Sequence, residues 1–273
     1  MTTSPQPAEA AILKTCCANL YESDWAQLLL GDSFHPGGLA LTERLGTLLN
    51  LQPGHRVLDV ASGKGTSAIH LAQRFGCEAW GVDYGAQSVA EARAAAERTG
   101  VADRVHFRNG DAEALPFGNA EFDAVICECA FCTFPDKGVA ASEFARMLKP
   151  GGRVGLSDMT RSGPLPSELE DLLAWVACLA DAQPVEQYAA YLQAAGFTVE
   201  HVEPHDAVLD EMVKQIRAKL LGAELLVKLK QIVLPDADFE QAKRMARAAA
   251  DAVREGKLGY AIIVGIKSPA RRV

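Results

Sequence analysis

The sequence predicts an α/β fold, a doubly wound parallel sheet of seven strands with helices on both faces. Short apolar segments alternate with amphipathic helical segments along most of the chain, which is the pattern of strands joined by helical crossovers. Glycines and prolines mark the boundaries between these segments. The composition agrees, because 49% of the residues are hydrophobic but only 7% are aromatic, as expected of a helix-covered core rich in Ala, Leu and Val.

The strands are predicted as short apolar runs, each bounded by a turn. They comprise residues 56–60, 78–82, 105–108, 122–127, 153–157, 197–203 and 260–266. The intervening helices comprise residues 65–75, 87–99, 138–148, 168–182 and 185–195. Gly76 and Gly100 end the first two of these helices, as glycine often does. Ligands of such sheets bind beyond the carboxyl ends of the strands, so we expect the functional site there.

The chain is expected to divide into four regions. Residues 1–50 form an N-terminal helical cap, with helices over 8–30 and 39–49, and residues 51–206 form the core. Residues 207–257 form a helical insertion between strands six and seven, with helices over 209–232 and 239–255, and residues 258–273 hold the last strand and a tail. This insertion is much longer than an ordinary connection, and its apolar stripes must be buried. It is therefore either a lid over the site or the face of a homodimer.

Charge and segment composition exclude several partners. The net charge is −8 and no dense stripe of Lys and Arg is present, so we expect no nucleic-acid partner. No apolar run reaches the roughly 18 residues that cross a membrane, and the N-terminus lacks the pattern of a secretory signal. We therefore expect a cytoplasmic protein without a membrane partner, whose seven cysteines are thiols.

The first predicted strand leads into a glycine-rich turn that opens a helix. The candidate ligand-binding residues of this segment are Asp59, Ala61, Ser62, Gly63, Gly65 and Thr66. Glycine lets the backbone approach a ligand closely, and the start of a helix offers unpaired N–H groups. A dinucleotide-binding turn would carry a third glycine, whereas Gly65 is followed by Thr66, Ser67 and Ala68, which disfavours NAD.

Further polar residues follow the next strands. Asp83, followed by Tyr84, comes directly after strand two, where an acid can accept hydrogen bonds from ribose hydroxyls. The segment Asp111, Ala112 and Glu113 follows strand three, where a carboxylate can accept from an adenine amino group. Asp59 can hold the ammonium of a methionine moiety. Cys127, at the end of strand four, is also counted with this ligand site, although a buried strand residue is the alternative.

These segments together resemble the class I S-adenosylmethionine (SAM)-dependent methyltransferases. Four motifs match in order: the glycine-rich turn at 57–65, the acid of segment 81–83, segment 110–112, and segment 148–152 before strand five. The resemblance is strong over residues 45–160. It implies a Rossmann-like fold, SAM as cofactor and enzymatic methyl transfer. One departure is Ala61, where the family often has glycine, and we expect it to be tolerated.

Within that class the chain is similar to the arsenite methyltransferases. Three cysteines, Cys127, Cys129 and Cys132, follow strand four shortly before the run Pro-Asp-Lys at 135–137, and Cys178 opens the run Cys-Leu-Ala-Asp-Ala. The resemblance implies that Cys129 and Cys178 are thiolate ligands of trivalent arsenic, a thiophilic centre. The family often carries a cysteine where this chain has Ala68, and the family's cysteine-bearing N-terminal loop is not recognisable. A third thiolate would come from Cys132 or from the pair Cys16 and Cys17.

Two other functions stay open at this point. The first is methylation of a small organic acceptor, as in the quinone- and sterol-type relatives, in a pocket lined by Phe131, Phe134 and Trp175. The second is a SAM-binding fold without catalysis, although an intact glycine-rich turn with all three acids disfavours it. We expect no resident metal, because the cysteines near strand four lack the paired second half of a zinc site.

Overall fold

The structure is a computed structural model and describes residues 7–23, 35–169, 181–231 and 238–268. Its helices are α1 (Pro7–Tyr21), α2 (Gly38–Leu48), α3 (Thr66–Phe75), α4 (Ala86–Arg98), α5 (Lys137–Met147), α6 (Val185–Ala194), α7 (Asp206–Lys228) and α8 (Phe239–Arg254). Its strands are β1 (Arg56–Val60), β2 (Glu78–Asp83), β3 (Val105–Asn109), β4 (Phe122–Glu128), β5 (Leu148–Arg161), β6 (Phe197–Pro204) and β7 (Leu258–Lys267). Short 3₁₀ turns occupy Phe131–Thr133 and Ser167–Leu169.

The seven strands form one sheet in the order β3-β2-β1-β4-β5-β7-β6, which confirms the predicted fold class. The chain first builds outward from β1 through β2 to β3 and then returns to place β4 on the other side of β1. This reversal leaves a crevice beyond the carboxyl ends of β1 and β4, where ligands of doubly wound sheets bind. The strand order therefore fixes the position of the site.

Strand β7 departs from the predicted parallel sheet. It runs antiparallel to both neighbours, with Arg153 of β5 opposite Ile266 and Phe197 of β6 opposite Lys267. A single crossover helix carries the chain back to the end of the sheet at which the previous strand began, so the next strand runs parallel to it. Two helices, α7 and α8, separate β6 from β7. The chain therefore returns to the end of the sheet at which β6 finishes, and β7 runs in the reverse direction.

Most predicted elements agree with the structure to within a few residues. Strand β5 is much longer than the predicted 153–157, because it pairs along its length with β7 as far as Arg161 opposite Leu258. The predicted insertion helices appear as α7 and α8. Of the first predicted helical region, α1 is described and residues 24–30 lie outside the described residues, as do residues 170–180 of the predicted helix 168–182.

The core lies on the two faces of the central strands. Val57, Leu58 and Val60 of β1 are fully buried, as expected of a parallel strand covered by helices on both faces. Helix α2 packs against β5 at Gly155, where an added Cβ would lie only 2.7 Å from Cδ1 of Leu45. This close approach holds the N-terminal part of the chain against the sheet. Among the described residues, no helix is long and apolar enough to cross a membrane.

Candidate functional site

The glycine-rich turn after β1 forms one wall of a cleft at the carboxyl ends of the strands. Ala61, Gly63 and Gly65 all have left-handed backbones, with φ of 60°, 50° and 78°. At Gly65 a Cβ would lie 2.3 Å from Cζ of Phe107, so only glycine fits between the turn and β3. Helix α3 begins at the next residue, and Ala61 and Gly63 line the cleft. The turn thus places backbone atoms with little or no side chain on the wall of the cleft.

The side chain of Asp83 hydrogen-bonds this turn to the end of β2. Its Oδ2 accepts a hydrogen bond of 2.7 Å from the backbone N–H of Gly63, and its Oδ1 accepts one of 2.8 Å from that of Gly85. Burial raises the pKa of the Asp83 carboxyl, although these backbone N–H groups oppose the rise. Asp83 and the exposed Tyr84 both line the cleft. A carboxylate held in this way presents its remaining lone pairs in a fixed direction.

Asp59 carries the most unusual polar atom of the site. Its side chain is only 3% exposed, and within the described part of the chain its Oδ2 has no hydrogen-bond partner. Burial raises the pKa of this carboxyl well above its ordinary value, and the nearby carboxylates of Glu128 and Asp83 add to the rise. A buried carboxylate with one unpartnered oxygen, beside two other carboxylates, is costly unless a cation joins them. The arrangement therefore favours a positively charged ligand group.

Glu128, at the end of β4, was not among the residues predicted from the sequence. Its Oε2 accepts hydrogen bonds from Ser67 Oγ at 2.6 Å and from Thr42 Oγ1 at 3.0 Å, and its Oε1 accepts from Ser157 Oγ at 3.2 Å. These partners come from α3, α2 and β5, so the carboxylate joins three elements. Nε2 of the buried His35 lies 3.7 Å from the same Oε2. Glu128 also lines the cleft.

Helix α1 closes the cleft on the side of β3. Lys14 Nζ lies 2.8 Å from Oδ2 of Asp111 and 2.5 Å from Oε2 of Glu113, and Oε1 of Glu113 accepts from the backbone N–H of Asp136 at 2.7 Å. Burial acts to lower the pKa of Lys14, but the hydrogen bonds to the two carboxylates outweigh it, and the pKa is raised. One cation therefore ties α1 to the segment after β3. Tyr21 of α1 lines the cleft as well.

The predicted cysteines fall into different environments. Cys129 lines the cleft with a left-handed backbone, φ 52°, and its N–H donates to the carbonyl of Ser157 at 2.7 Å. Cys17 of α1 lines the same cleft. Cys127 and Cys132 are fully buried, and Cys178 lies outside the described residues. Among the residues that the structure describes, no group of three His, Cys, Asp or Glu side chains could hold a metal ion.

The cleft brings together much of the predicted cofactor site. Predicted residues on its surface are Ala61, Gly63, Asp83, Tyr84, Asp111, Ala112 and Cys129. Predicted residues that lie outside this lining are Asp59, Ser62, Gly65, Thr66, Glu113, Cys127 and Cys132. Several of these shape the cleft from behind, as Gly65 does by its contact with Phe107. The sequence-based prediction also missed Lys14, which meets its partners across 97 residues or more of chain.

Comparison with known proteins places the chain in a family. A family model described as a methyltransferase domain matches residues 57–152. The chain is 30% identical over 226 residues to 27-O-demethylrifamycin SV methyltransferase of Amycolatopsis mediterranei, a match covering 74% of this chain and 78% of that protein. It is 29% identical over 201 residues to arsenite methyltransferase of Halobacterium salinarum, covering 70% of this chain and 51% of that protein.

The fold has solved counterparts. Phosphoethanolamine N-methyltransferase 2 of Haemonchus contortus, in complex with SAM, superposes with a TM-score of 0.78 at 20% identity, covering 94% of this chain and 60% of that one. The chain spans only 65% and 51% of the length of the first two curated relatives that it matches. The predicted Rossmann-like fold and SAM cofactor are confirmed. The chain belongs to the class I SAM-dependent methyltransferases.

Proposed function

We propose that the chain transfers the methyl group of SAM to a small acceptor bound in the cleft beyond β1 and β4. The observation that carries this proposal is the buried, unpartnered Oδ2 of Asp59, flanked by the carboxylates of Glu128 and Asp83. SAM, when bound, supplies an electrophilic methyl group on a sulfonium and carries a cationic amino-acid end. The site therefore matches the cofactor in charge.

Three acids, two in the lining of the cleft and Asp59 behind it, are each assigned a part of the cofactor. Asp59 would bind the ammonium, Asp83 the ribose hydroxyls and Asp111 the adenine amino group. The left-handed backbone at Gly63 leaves room for the ligand against the turn, and Gly65 lets the turn pack against Phe107. Helix α1, which lines the cleft, would cover the cofactor and exclude water, and this would strengthen the electrostatic interactions inside.

For the acceptor we propose trivalent arsenic held by the thiolates of Cys129 and Cys178. Cys129 supports this because it lines the cleft directly after β4, at the edge of the sheet where the cofactor site lies. Cys17 lines the same cleft from α1 and would be a further soft ligand. An arsenic lone pair carries no proton, so these residues need only orient the acceptor. The similarity to arsenite methyltransferase of Halobacterium salinarum also supports the proposal.

The test is arsenite-dependent formation of S-adenosylhomocysteine from SAM by the full chain. Cys129→Ser is expected to lower this rate on the order of a hundredfold, because a hydroxyl is a poor ligand of a soft centre. SAM affinity, measured by calorimetry, is expected to stay unchanged. Cys77→Ala is the matched control, since burial raises the pKa of the Cys77 thiol to about 11 and keeps it protonated in the core. Full arsenite-dependent turnover in Cys129→Ser would refute the arsenic assignment.

A small organic acceptor is the second candidate, and the position of Glu128 favours it. This carboxylate lines the cleft beside Cys129 and is held by three hydroxyl groups. It could accept the proton of an acceptor hydroxyl, and Tyr21 and Phe134 supply apolar lining. Glu128→Gln would then lower kcat by about 10²-fold or more for an organic hydroxyl acceptor. At saturating SAM, the same variant would leave the arsenite-dependent kcat largely intact if arsenic is the substrate.

A further inference from the structure

Helix α7 presents an exposed row of leucines to solvent. Leu221, Leu225 and Leu229 are 61%, 57% and 58% exposed. Their spacing of four residues places them on one face of the helix, and we call them the leucine stripe. Single exposed leucines are ordinary on protein surfaces, but a contiguous row marks an interaction site.

Within the described part of the chain, the leucine stripe is not among the buried side chains of α7. The buried side chains of α7 are Leu209, Val213, Leu220 and Ala223, which lie on the opposite face of the helix. That inner face packs against α8 and β7. Helix α7 is therefore held on the fold through its inner face, and the leucine stripe faces solvent, where another surface can contact it.

Positive charge flanks the leucine stripe on both sides. At 100° per residue, Arg217 and Lys228 lie along one edge, and Lys219 lies beyond the other, past the exposed Leu226. All three cations are exposed. Residues 214–230 contain five Lys or Arg and a single acid, Glu224, a formal charge of +4 in a chain whose net charge is −8. The concentration of cations around exposed leucines is thus a local feature of α7.

We propose that this face of α7 binds the surface of an anionic lipid bilayer, with the helix lying in the plane of the interface. The leucine stripe would enter the boundary between headgroups and acyl chains, and the flanking cations would contact lipid phosphates. Lys and Arg suit this position because their stems follow apolar surface while their charges stay among the headgroups. A helix lying in the interface needs no membrane-spanning length, and the proposal does not depend on the acceptor.

A second copy of the chain fits this face less well. Arg217 and Lys228 lie on one edge and Lys219 on the other, and Glu224 already pairs with Lys228 and Lys243, so packing two stripes together would place cations beside cations. Like charges brought together in this way destabilise an interface. Lipid phosphates supply the complementary charge at both edges.

The proposal is tested by sedimenting the full chain with vesicles of phosphatidylcholine containing about 30% phosphatidylglycerol, and with phosphatidylcholine alone. Binding is expected to the anionic vesicles and to weaken with salt. The double variants Leu221→Ser/Leu225→Ser and Arg217→Gln/Lys228→Gln are each expected to lower the partition coefficient about tenfold or more. Val139→Ser, on α5 and 43% exposed, is the matched control and should bind as the wild type does.

Three outcomes would overturn the proposal. One is an absence of binding by the wild-type chain, and another is binding by both double variants that is as strong as that of the wild type. The third is a dimer, detected by light scattering, that the leucine variant dissociates, because it would assign the face to a second copy. SAM binding by each variant, measured by calorimetry, shows that its fold is intact.

Discussion

Replacing Asp59 by Asn separates ligand binding from stability at this site. Asn keeps the size of the side chain but removes the charge from a position that is 3% exposed. If the unpartnered Oδ2 receives the ammonium of SAM, the variant loses one charge-assisted hydrogen bond, worth about 1.5–3 kcal/mol. This loss corresponds to a rise in the Kd of SAM of roughly 10- to 150-fold.

The stability of the ligand-free chain is expected to change in the opposite direction. The folded-state pKa of Asp59 is raised well above its ordinary value of 3.8, so the fold favours the protonated carboxyl. The contribution of this group to stability is therefore complete below that ordinary pKa and is lost as pH rises through the raised pKa. Asn does not titrate, so Asp59→Asn should be at least as stable as the wild type at neutral pH.

Two measurements check this reasoning on the same samples. Calorimetric titration gives the affinity for SAM, and the thermal midpoint of the ligand-free chain, followed from pH 4 to pH 8, gives the stability. We expect weaker SAM binding together with an unchanged or higher midpoint, and a flatter pH profile. An unchanged SAM affinity would refute the ammonium assignment. A parallel loss of affinity and stability would show that Asp59 is structural.

Three further substitutions test other parts of the account. Lys14→Met removes the ion pairs that hold α1 over the cleft. It should raise the dissociation rate of SAM about fivefold in stopped-flow experiments. An unchanged rate would contradict the role of α1 in closing the cleft. Ala61→Gly relieves a left-handed backbone, φ 60°, and should raise the free energy of unfolding by about 0.5–1 kcal/mol; a decrease would show that no strain is present. Gly81→Ala would place a Cβ 2.4 Å from Cδ1 of Phe107 and should cost about 1–3 kcal/mol in urea unfolding. Gly222→Ala, where nothing lies within 4 Å, is its matched control and should not destabilise.

The features that could be predicted from the sequence are local ones. A strand followed by a glycine-rich turn and a helix is specified by adjacent residues, and so is Asp83 at the end of β2. Because the carboxyl ends of parallel strands share one edge of the sheet, local predictions were enough to bring Asp83, Asp111 and Cys129 to one cleft. The alternation of strands and helices predicted a wholly parallel sheet, whereas the two helices before β7, which were themselves predicted, accompany a reversal of its direction.

The features that were missed depend on contacts between distant residues. Glu128 lies between two cysteines and was not predicted as a site residue. Its role becomes visible only in the fold, where Ser67 and Thr42 of two other helices donate hydrogen bonds to it. The signal in the sequence was a single acid at the end of an apolar strand. Cys129 and Cys132 are three residues apart, yet one lines the cleft and the other is fully buried. The chain between them is an irregular 3₁₀ turn, so no periodicity could assign their faces.

A crystal structure of the chain with S-adenosylhomocysteine would show whether Asp59 binds the amino-acid end of the cofactor. We expect the ammonium of the ligand within hydrogen-bond distance of Oδ2 of Asp59, the ribose hydroxyls on Asp83 and the adenine amino group beside Asp111. A ligand bound with its amino-acid end at Asp111, or bound outside the cleft beyond β1 and β4, would contradict this assignment.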